Sequence, residues 1–461
     1  MRLQGSLYSS PACGPSHRPS ACRFVAHLCG NPAQVDLKML IQFTVANFKS
    51  FREPQTLSMV AAPTLKRLRE LNTFTPKVAG HRLPALLRCA AIFGPNAAGK
   101  SNLVKALSFV EFMVMRSADL NPDDPLDVQS FRLDETTSSE DSTFEVDFIE
   151  GECRFQFGFS ANRDRITSEW MICYTSNRPT ELYRRQYDHE SKQDAYIFGR
   201  ALEGGRLRKD WAAQSGPKTL FLSRVVQASS EEFQQLRVPY RWFSKRLRID
   251  KPTRLQDRNS YTSQVCETEE GKRKVLEFLN AFDIPVVDIE IQRKKLSLSD
   301  DGSPFKAEFL RELKLDSEFT FRDPVFTHLS SAGKPVAFTA NDESEGTMNL
   351  YHFAAKWIDV IENSFVLVVD ELDSSLHPLA VWELIRRLRD SRSEAQLIFT
   401  THDIAVLRSK LLRRDQTFFV SPTQKRESQL YSLMDFKGRE EDAFEDRYLQ
   451  GRYGATPLIT R

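Results

Sequence analysis

The run Arg88-Cys89-Ala90-Ala91-Ile92-Phe93, followed by Gly94-Pro95-Asn96-Ala97-Ala98-Gly99-Lys100-Ser101-Asn102, carries two signals in one place. Its first six residues read as a short β-strand. The next eight form a complete G-x-x-x-x-G-K-S phosphate loop, and a helix is predicted after it from Leu103, Leu107, Val110 and Val114, spaced four, three and four. The residue types suit the chemistry. Glycines let backbone N–H groups close round phosphates, and a helix N-terminus adds its positive dipole. Lys100 is expected on the β- and γ-phosphates of ATP, and the Ser101 hydroxyl on Mg²⁺.

A second half of the site is expected far downstream of Lys100. There, Phe365 to Val369 is an apolar β run that ends in Asp370-Glu371. A carboxylate at the end of a buried strand beside a phosphate loop fits Walker B. Asp370 would then hold Mg²⁺, and Glu371 would polarise the attacking water as general base. Leu372-Asp373-Ser374-Ser375-Leu376-His377-Pro378 follows, then a helix from Leu379 to Arg389. A further β run, Gln396 to Thr400, leads into Thr401-His402-Asp403. His402, one strand past a Walker B glutamate, is read as a γ-phosphate sensor. His377, beside a proline at a helix start, is read as a packing residue.

Composition bounds the rest. The chain has 461 residues, 41% hydrophobic and 27% charged, with 33 Phe, enough for a large core and for two or three units. Disordered and collagen-like chains are excluded. No apolar run approaches the roughly 20 residues of a spanning helix, so a cytoplasmic protein without a membrane partner is expected. Net charge is +2, from 64 basic and 62 acidic residues. The segment 1–38 holds four of the basic and one of the acidic residues, so the remainder carries 60 against 61. That stretch shows no periodicity and is expected to be a disordered extension, with the domain starting at Met39. Cys89, Cys153, Cys173 and Cys266 have no metal-ligand spacing and are read as reduced thiols.

Between the two halves, Phe144 to Ile149, Cys153 to Ser160 and Ile166 to Tyr174 alternate as antiparallel strands. Beyond residue 200 the chain is more charged, with helix-like stretches at Glu231 to Leu247 and Lys272 to Phe282. Neither a heptad array nor an internal repeat is present.

These pieces, in this order, resemble the ABC-type ATPase head shared by the structural-maintenance-of-chromosomes (SMC), RecF and OLD families. Val45-Ala46-Asn47-Phe48-Lys49-Ser50-Phe51 looks like their N-terminal strand and turn. Ser344-Glu345-Gly346-Thr347, ahead of a helix, looks like their signature, with one glycine where ABC transporters have two. Asp373 falls on the D-loop and His402 on the switch histidine, and Gln129 is a candidate for the Q-loop. From Met39 to the end, including Arg447 to Pro457, the chain looks like the small bacterial AAA-type ATPases of the RloA and AbiL kind, found in phage-defence and restriction-linked operons. The Tyr448–Pro457 tail reads equally as a packed turn or a partner-docking element.

The resemblance implies an α/β P-loop NTPase of ABC-type head, a mixed sheet plus an antiparallel β region, with an inserted helical or mixed module. The units expected are 1–38 (extension), 39–200 (first half of the head), 201–325 (insertion) and 326–461 (second half). It also implies a homodimer of heads, or a higher oligomer built from it, in which Ser344 and Gly346 of one copy cover ATP and Mg²⁺ held by the other. That dimer would control a separately encoded effector, such as a TOPRIM-like nuclease of the RloB kind, in antiviral defence. No acidic cluster of that nuclease type follows His402, so nuclease activity is not expected in this chain. The alternative is a RecF-like DNA-binding ATPase of repair or replication. It is motivated by Lys66-Arg67-x-Arg69, Arg206-x-Arg208-Lys209, Lys272-Arg273-Lys274 and Arg293-Lys294-Lys295. A nucleotide-locked scaffold is a third reading, disfavoured by the intact Glu371 and His402.

Overall fold

In the computed structural model the described residues are 37–78, 82–174, 178–230, 233–250, 261–297, 318–373, 376–391, 393–438 and 444–455. The expectation for the segment 1–38 falls almost wholly outside them. At its edge it shifts slightly, because Leu37 is already buried and the first strand includes Lys38.

Alternation builds the first sheet. Strands β1 (Lys38–Ala46) and β2 (Gln55–Ser58) pair antiparallel, and a two-residue pair, β3 (Thr73–Phe74) with β4 (Leu86–Leu87), follows. Next comes β5 (Cys89–Phe93), buried throughout, and helix α1 (Lys100–Arg116). Strands β6 (Ser142–Glu150), β7 (Cys153–Ala161), β8 (Ile166–Tyr174), β9 (Pro179–Asp188) and β10 (Gln193–Phe198) then run as a meander. Together they make a seven-stranded antiparallel sheet in the order β10-β9-β8-β7-β6-β1-β2.

Three helices follow, among them α2 (Phe221–Ala228) and α3 (Gln234–Arg241) after Leu207–Gln214. Glu169 of β8 is fully buried and caps α2. Its carboxylate accepts the N–H groups of Phe221 at 2.7 Å and Leu222 at 3.1 Å, and the Tyr183 hydroxyl at 2.8 Å. Of the helix expected from Glu231 to Leu247, residues 231 and 232 lie outside the described residues, and Gln234–Arg241 is helical. The helix becomes a wide turn over Trp242–Arg246, and Leu247 opens a strand, β11 (Leu247–Asp250), because the edge of a parallel sheet is there to pair with. The stretch expected as an insertion therefore contributes a strand to the central sheet.

Helix α4 (Glu269–Ala281) precedes a ribbon of β12 (Asp288–Ser297), β13 (Glu318–Leu329) and β14 (Pro335–Thr339). The chain continues through α5 (Glu345–Asn363), β15 (Val366–Val369), α6 (Pro378–Asp390), β16 (Gln396–Thr401), β17 (Thr417–Pro422), β18 (Ser428–Ser432) and α7 (Phe444–Leu449). The second large sheet has the order β11-β15-β16-β5-β17-β18, parallel except for the last pair.

The near-continuous apolar runs of this sheet follow from burial on both faces. Ala90, Ile92, Val366, Val368 and Ile398 point towards α1 and the antiparallel sheet. Cys89, Ala91, Phe93, Leu367, Val369 and Phe399 point towards α5 and α6. The tail covers the second face too. Tyr448 and Tyr453 stack on Phe419 with centroids 5.5 and 5.4 Å apart, and the Tyr448 hydroxyl donates to the Ala455 carbonyl at 2.8 Å. As far as Ala455 the tail is thus a packed turn. Cys89, Cys153, Cys173 and Cys266 are all buried free thiols. Among the described residues no helix is long and apolar enough to cross a membrane.

Because Phe419 holds the tail against the strand that feeds the phosphate loop, Phe419→Ala should destabilise the fold by about 3–5 kcal/mol. Urea unfolding of the full chain would check this, and an unchanged midpoint would contradict the packing described.

Candidate nucleotide site

The loop Gly94–Lys100 turns at the carboxyl end of β5, and its two glycines are required by contact. A Cβ on Gly94 would lie 2.2 Å from the Val420 carbonyl oxygen. Gly99 has φ +108°, and a Cβ there would meet the hydroxyls of Ser428 at 2.2 Å and Ser50 at 2.6 Å. Those two serines brace the loop. Ser428 Oγ donates to the Ala98 carbonyl at 2.5 Å, Ser428 N–H to the Ser50 carbonyl at 2.7 Å, and Asn102 Nδ2 to Ser50 Oγ at 2.7 Å. Pro95, Ser101 and Asn102 are half-buried, while Asn96 and Ala97 are exposed at the tip.

Lys100 begins α1, and its ammonium turns back over the loop. It donates to the carbonyls of Gly94 at 2.8 Å and Pro95 at 3.1 Å and lies 3.3 Å from His402 Nδ1. Burial lowers the Lys100 pKa, and the charges of Glu371, Asp373 and Asp370 oppose that shift. The Lys100 ammonium is thus partly desolvated, with three carboxylates near enough to favour its charged form.

The carboxylates come from the ends of neighbouring strands. β16 lies between β15 and β5, and Phe399 pairs with Val369 while Thr401 pairs with Phe93. Asp370 and Glu371, just past β15, therefore reach the phosphate loop across the end of β16. Thr400 ties the two strand ends together: its Oγ1 donates to Asp370 Oδ1 at 2.7 Å and accepts the Glu371 N–H at 2.7 Å. The Thr400 carbonyl accepts the Leu372 N–H at 3.1 Å, and Asp373 Oδ2 accepts the His402 N–H at 3.0 Å. His402 Nε2 stands 3.9 Å from Glu371 Oε1, both side chains being partly open to solvent. Lys100, Asp370, Glu371, Asp373 and His402 thus form one cluster at the carboxyl ends of parallel strands, where α/β sheets bind ligands.

Other expected residues fall elsewhere or only nearby. The Gln129 carbonyl accepts the Lys49 N–H at 2.7 Å, so its backbone is stitched to the residue beside Ser50. Its side-chain amide reaches Asp127 at 3.5 Å. Ser344, Glu345 and Gly346 are exposed and Thr347 half-buried, at the start of α5. Ser344 Oγ caps that helix by accepting the Thr347 N–H at 3.1 Å. Hydrogen bonds from these four residues to the phosphate loop are absent among the described residues. His377 is exposed and caps α6, its Nδ1 accepting the Leu379 N–H at 3.3 Å, so it acts as a helix cap where a packing residue was expected.

Three residues carry no assigned role in the sequence reading: Thr400, Ser50 and Ser428. The one local signal at Thr400 is a hydroxyl directly after the apolar run Leu397-Ile398-Phe399. Ser50 and Ser428 act through a contact between opposite ends of the chain, which no local pattern reveals.

Residues 89–408, from β5 past the cluster histidine, match the family described as "AAA domain, putative AbiEii toxin, Type IV TA system". The chain belongs to this family. It is therefore an AAA-type P-loop ATPase chain, and the resemblance to RloA and AbiL remains finer than the match. No curated protein matches the chain. Solved structures similar to it include the SMC head domain from Thermotoga maritima, at 14% identity and TM-score 0.36, covering 86% of this chain and 99% of that one. Another is the Smc head with an extended coiled coil bound to the C-terminal domain of ScpA, from Pyrococcus furiosus, at 12% identity and TM-score 0.38, covering 86% and 96%. The superpositions are loose, and the P-loop ATPase architecture is carried here by the strand order and the loop geometry of this AAA-family chain.

Gly99→Ala should abolish binding of a fluorescent ATP analogue, since its Cβ cannot fit between Ser50 and Ser428. Lys100→Met should weaken binding at least tenfold, roughly the loss of one charge-assisted hydrogen bond. Equilibrium titration of the full chain checks both, and parent-like affinity in Gly99→Ala would refute the bracing.

Proposed function

We propose that this AAA-family chain hydrolyses ATP to ADP and phosphate and uses the nucleotide to close a dimer of heads that controls an effector. The observation that carries the reading is the convergence of Lys100, Asp370, Glu371 and His402 from distant parts of the chain. In this reading Lys100 leaves the loop carbonyls for the β- and γ-phosphates, and the loop N–H groups and the start of α1 complete the anion cradle.

The donors suit Mg²⁺. Ser101 and Asp370 offer hydroxyl and carboxylate oxygens, the hard ligands that ion takes. Among the described residues no group of three or more His, Cys, Asp or Glu is arranged to hold a metal. When bound, Mg²⁺ neutralises charge developing on the β- and γ-phosphates. Glu371 takes a proton from the attacking water, and His402, within reach of both Glu371 and Lys100, senses the γ-phosphate.

Support for a two-headed site comes from the signature segment. Ser344 to Gly346 are exposed at the N-terminus of the 19-residue α5, and a Cβ on Gly346 would meet only Ser344 Oγ, at 3.8 Å. The open helix start suits the γ-phosphate of ATP held by a second copy. Asp373, bonded to the His402 backbone, would carry that event into the D-loop. The family is described by a putative AbiEii toxin of a type IV toxin–antitoxin system; in this reading the chain acts in the cytoplasm in antiviral defence, through a separately encoded effector such as a TOPRIM-like nuclease.

The DNA-binding alternative loses support at one of its four basic clusters, Lys272-Arg273-Lys274, and at Arg293. Lys272 pairs with Glu269 and Asp288, Arg273 with Glu277, Lys274 with Glu270 and Glu362, and Arg293 with Glu267. Arg208 is spent on the carbonyls of Gly199, Leu202 and Gly205. The ion-paired cations release fewer counterions on DNA, whereas Arg208, bonded to neutral carbonyls, keeps its charge.

Glu371→Gln should lower turnover by about 100-fold or more, the usual contribution of a general base, and trap an ATP-bound dimer. Light scattering of the full chain with ATP and Mg²⁺ reads the mass directly. A monomer at saturating nucleotide would sink the two-headed model.

A further inference from the structure

We propose that Thr400 is the positioning residue that sets both Walker B carboxylates for turnover, an inference that rests on the ATPase reading above. Thr400 is the fifth residue of β16 and is fully buried, in a strand whose other central residues are Leu397, Ile398 and Phe399. A hydroxyl buried there is costly unless its hydrogen bonds are made. Both are made, and both go to the turn after β15: Oγ1 donates to Asp370 Oδ1 and accepts the Glu371 N–H, each at 2.7 Å. With the Thr400 carbonyl on the Leu372 N–H, a single residue fixes three consecutive positions.

Two consequences bear on the chemistry. One oxygen of Asp370 is committed to Thr400, which stops the carboxylate from rotating and leaves its other oxygen for a cation. Glu371 has φ +54°, a left-handed conformation that residues with a side chain rarely adopt. The bond from its N–H to Thr400 holds that turn and so keeps the carboxylate beside His402. A valine at 400 would fill nearly the same volume and leave both the Asp370 oxygen and the Glu371 N–H without this partner. Serine would keep the hydroxyl. Thr400 touches neither nucleotide nor water in this scheme; it acts through Asp370 and Glu371.

The test compares the full chain with Thr400→Val, Thr400→Ala and Thr400→Ser. One readout is affinity for a fluorescent ATP analogue in EDTA and again in Mg²⁺; the other is kcat and KM for ATP. In EDTA all four proteins should bind alike, within about twofold, because Lys100 and the phosphate loop are untouched. With Mg²⁺, the valine and alanine variants should lose most of the parent's gain in affinity and about tenfold or more in kcat, the cost of a misplaced charged group. Serine should stay within about threefold of the parent. If valine fails to fold, as read by circular dichroism, alanine carries the same comparison. Valine or alanine with parent-like Mg²⁺ gain and kcat overturns the proposal, and so does serine as impaired as they are. A parent that binds the analogue without turnover removes hydrolysis but leaves the Mg²⁺ gain to decide Thr400. A parent that binds no analogue removes both.

Discussion

Three parallel strands that end at one level are the constraint on which the site depends. β15, β16 and β5 are neighbours in that order, and their ladders run without a register shift through Val369, Phe399, Thr401 and Phe93. A slip of one residue would turn every side chain of the slipped strand to the opposite face and unmatch two apolar layers at once. The register is therefore held by burial on both faces, from α1 and the antiparallel sheet on one and α5 and α6 on the other. Given that register, the positions of Asp370, Glu371 and His402 beside Lys100 follow with little freedom left.

Around this frame, the supports of the phosphate loop lie outside the segment that the family match covers. Ser50 comes from the turn after β1 and Ser428 from β18, whereas the match runs from 89 to 408. Each hydroxyl crowds Gly99, and they are joined through Ser428 N–H and the Ser50 carbonyl. The tail adds a further layer, with Tyr448 and Tyr453 on Phe419, which itself packs beside Phe93 one residue ahead of Gly94. The chain on either side of the matched segment thus shapes the loop where the phosphates would sit.

Much of this was legible because local rules governed it. The phosphate loop, the alternating strands of the meander and the apolar runs of β5, β15 and β16 each declare themselves within a short stretch of chain. The limits appeared where tertiary contact decided. Leu247 reads as helical from its neighbours, yet the edge of β15 draws it into a strand. Thr400 looked like an ordinary strand residue, because its role depends on what β15 presents across the sheet. The triplet Lys272-Arg273-Lys274 reads as a bare basic cluster in the sequence, since its acids lie on other turns or elements, as Glu362 does for Lys274. Gln129 remained ambiguous for the same reason: its backbone, not its side chain, makes the contact near the loop.

If two distant halves of the chain make one ATP-hydrolysing site, phosphate release from ATP must depend on Lys100. Measured on the full chain beside Lys100→Ala, turnover should be Mg²⁺-dependent in the parent and absent above background in the variant. Turnover that survives Lys100→Ala unchanged, or a parent that neither binds nor hydrolyses ATP, would contradict that single site.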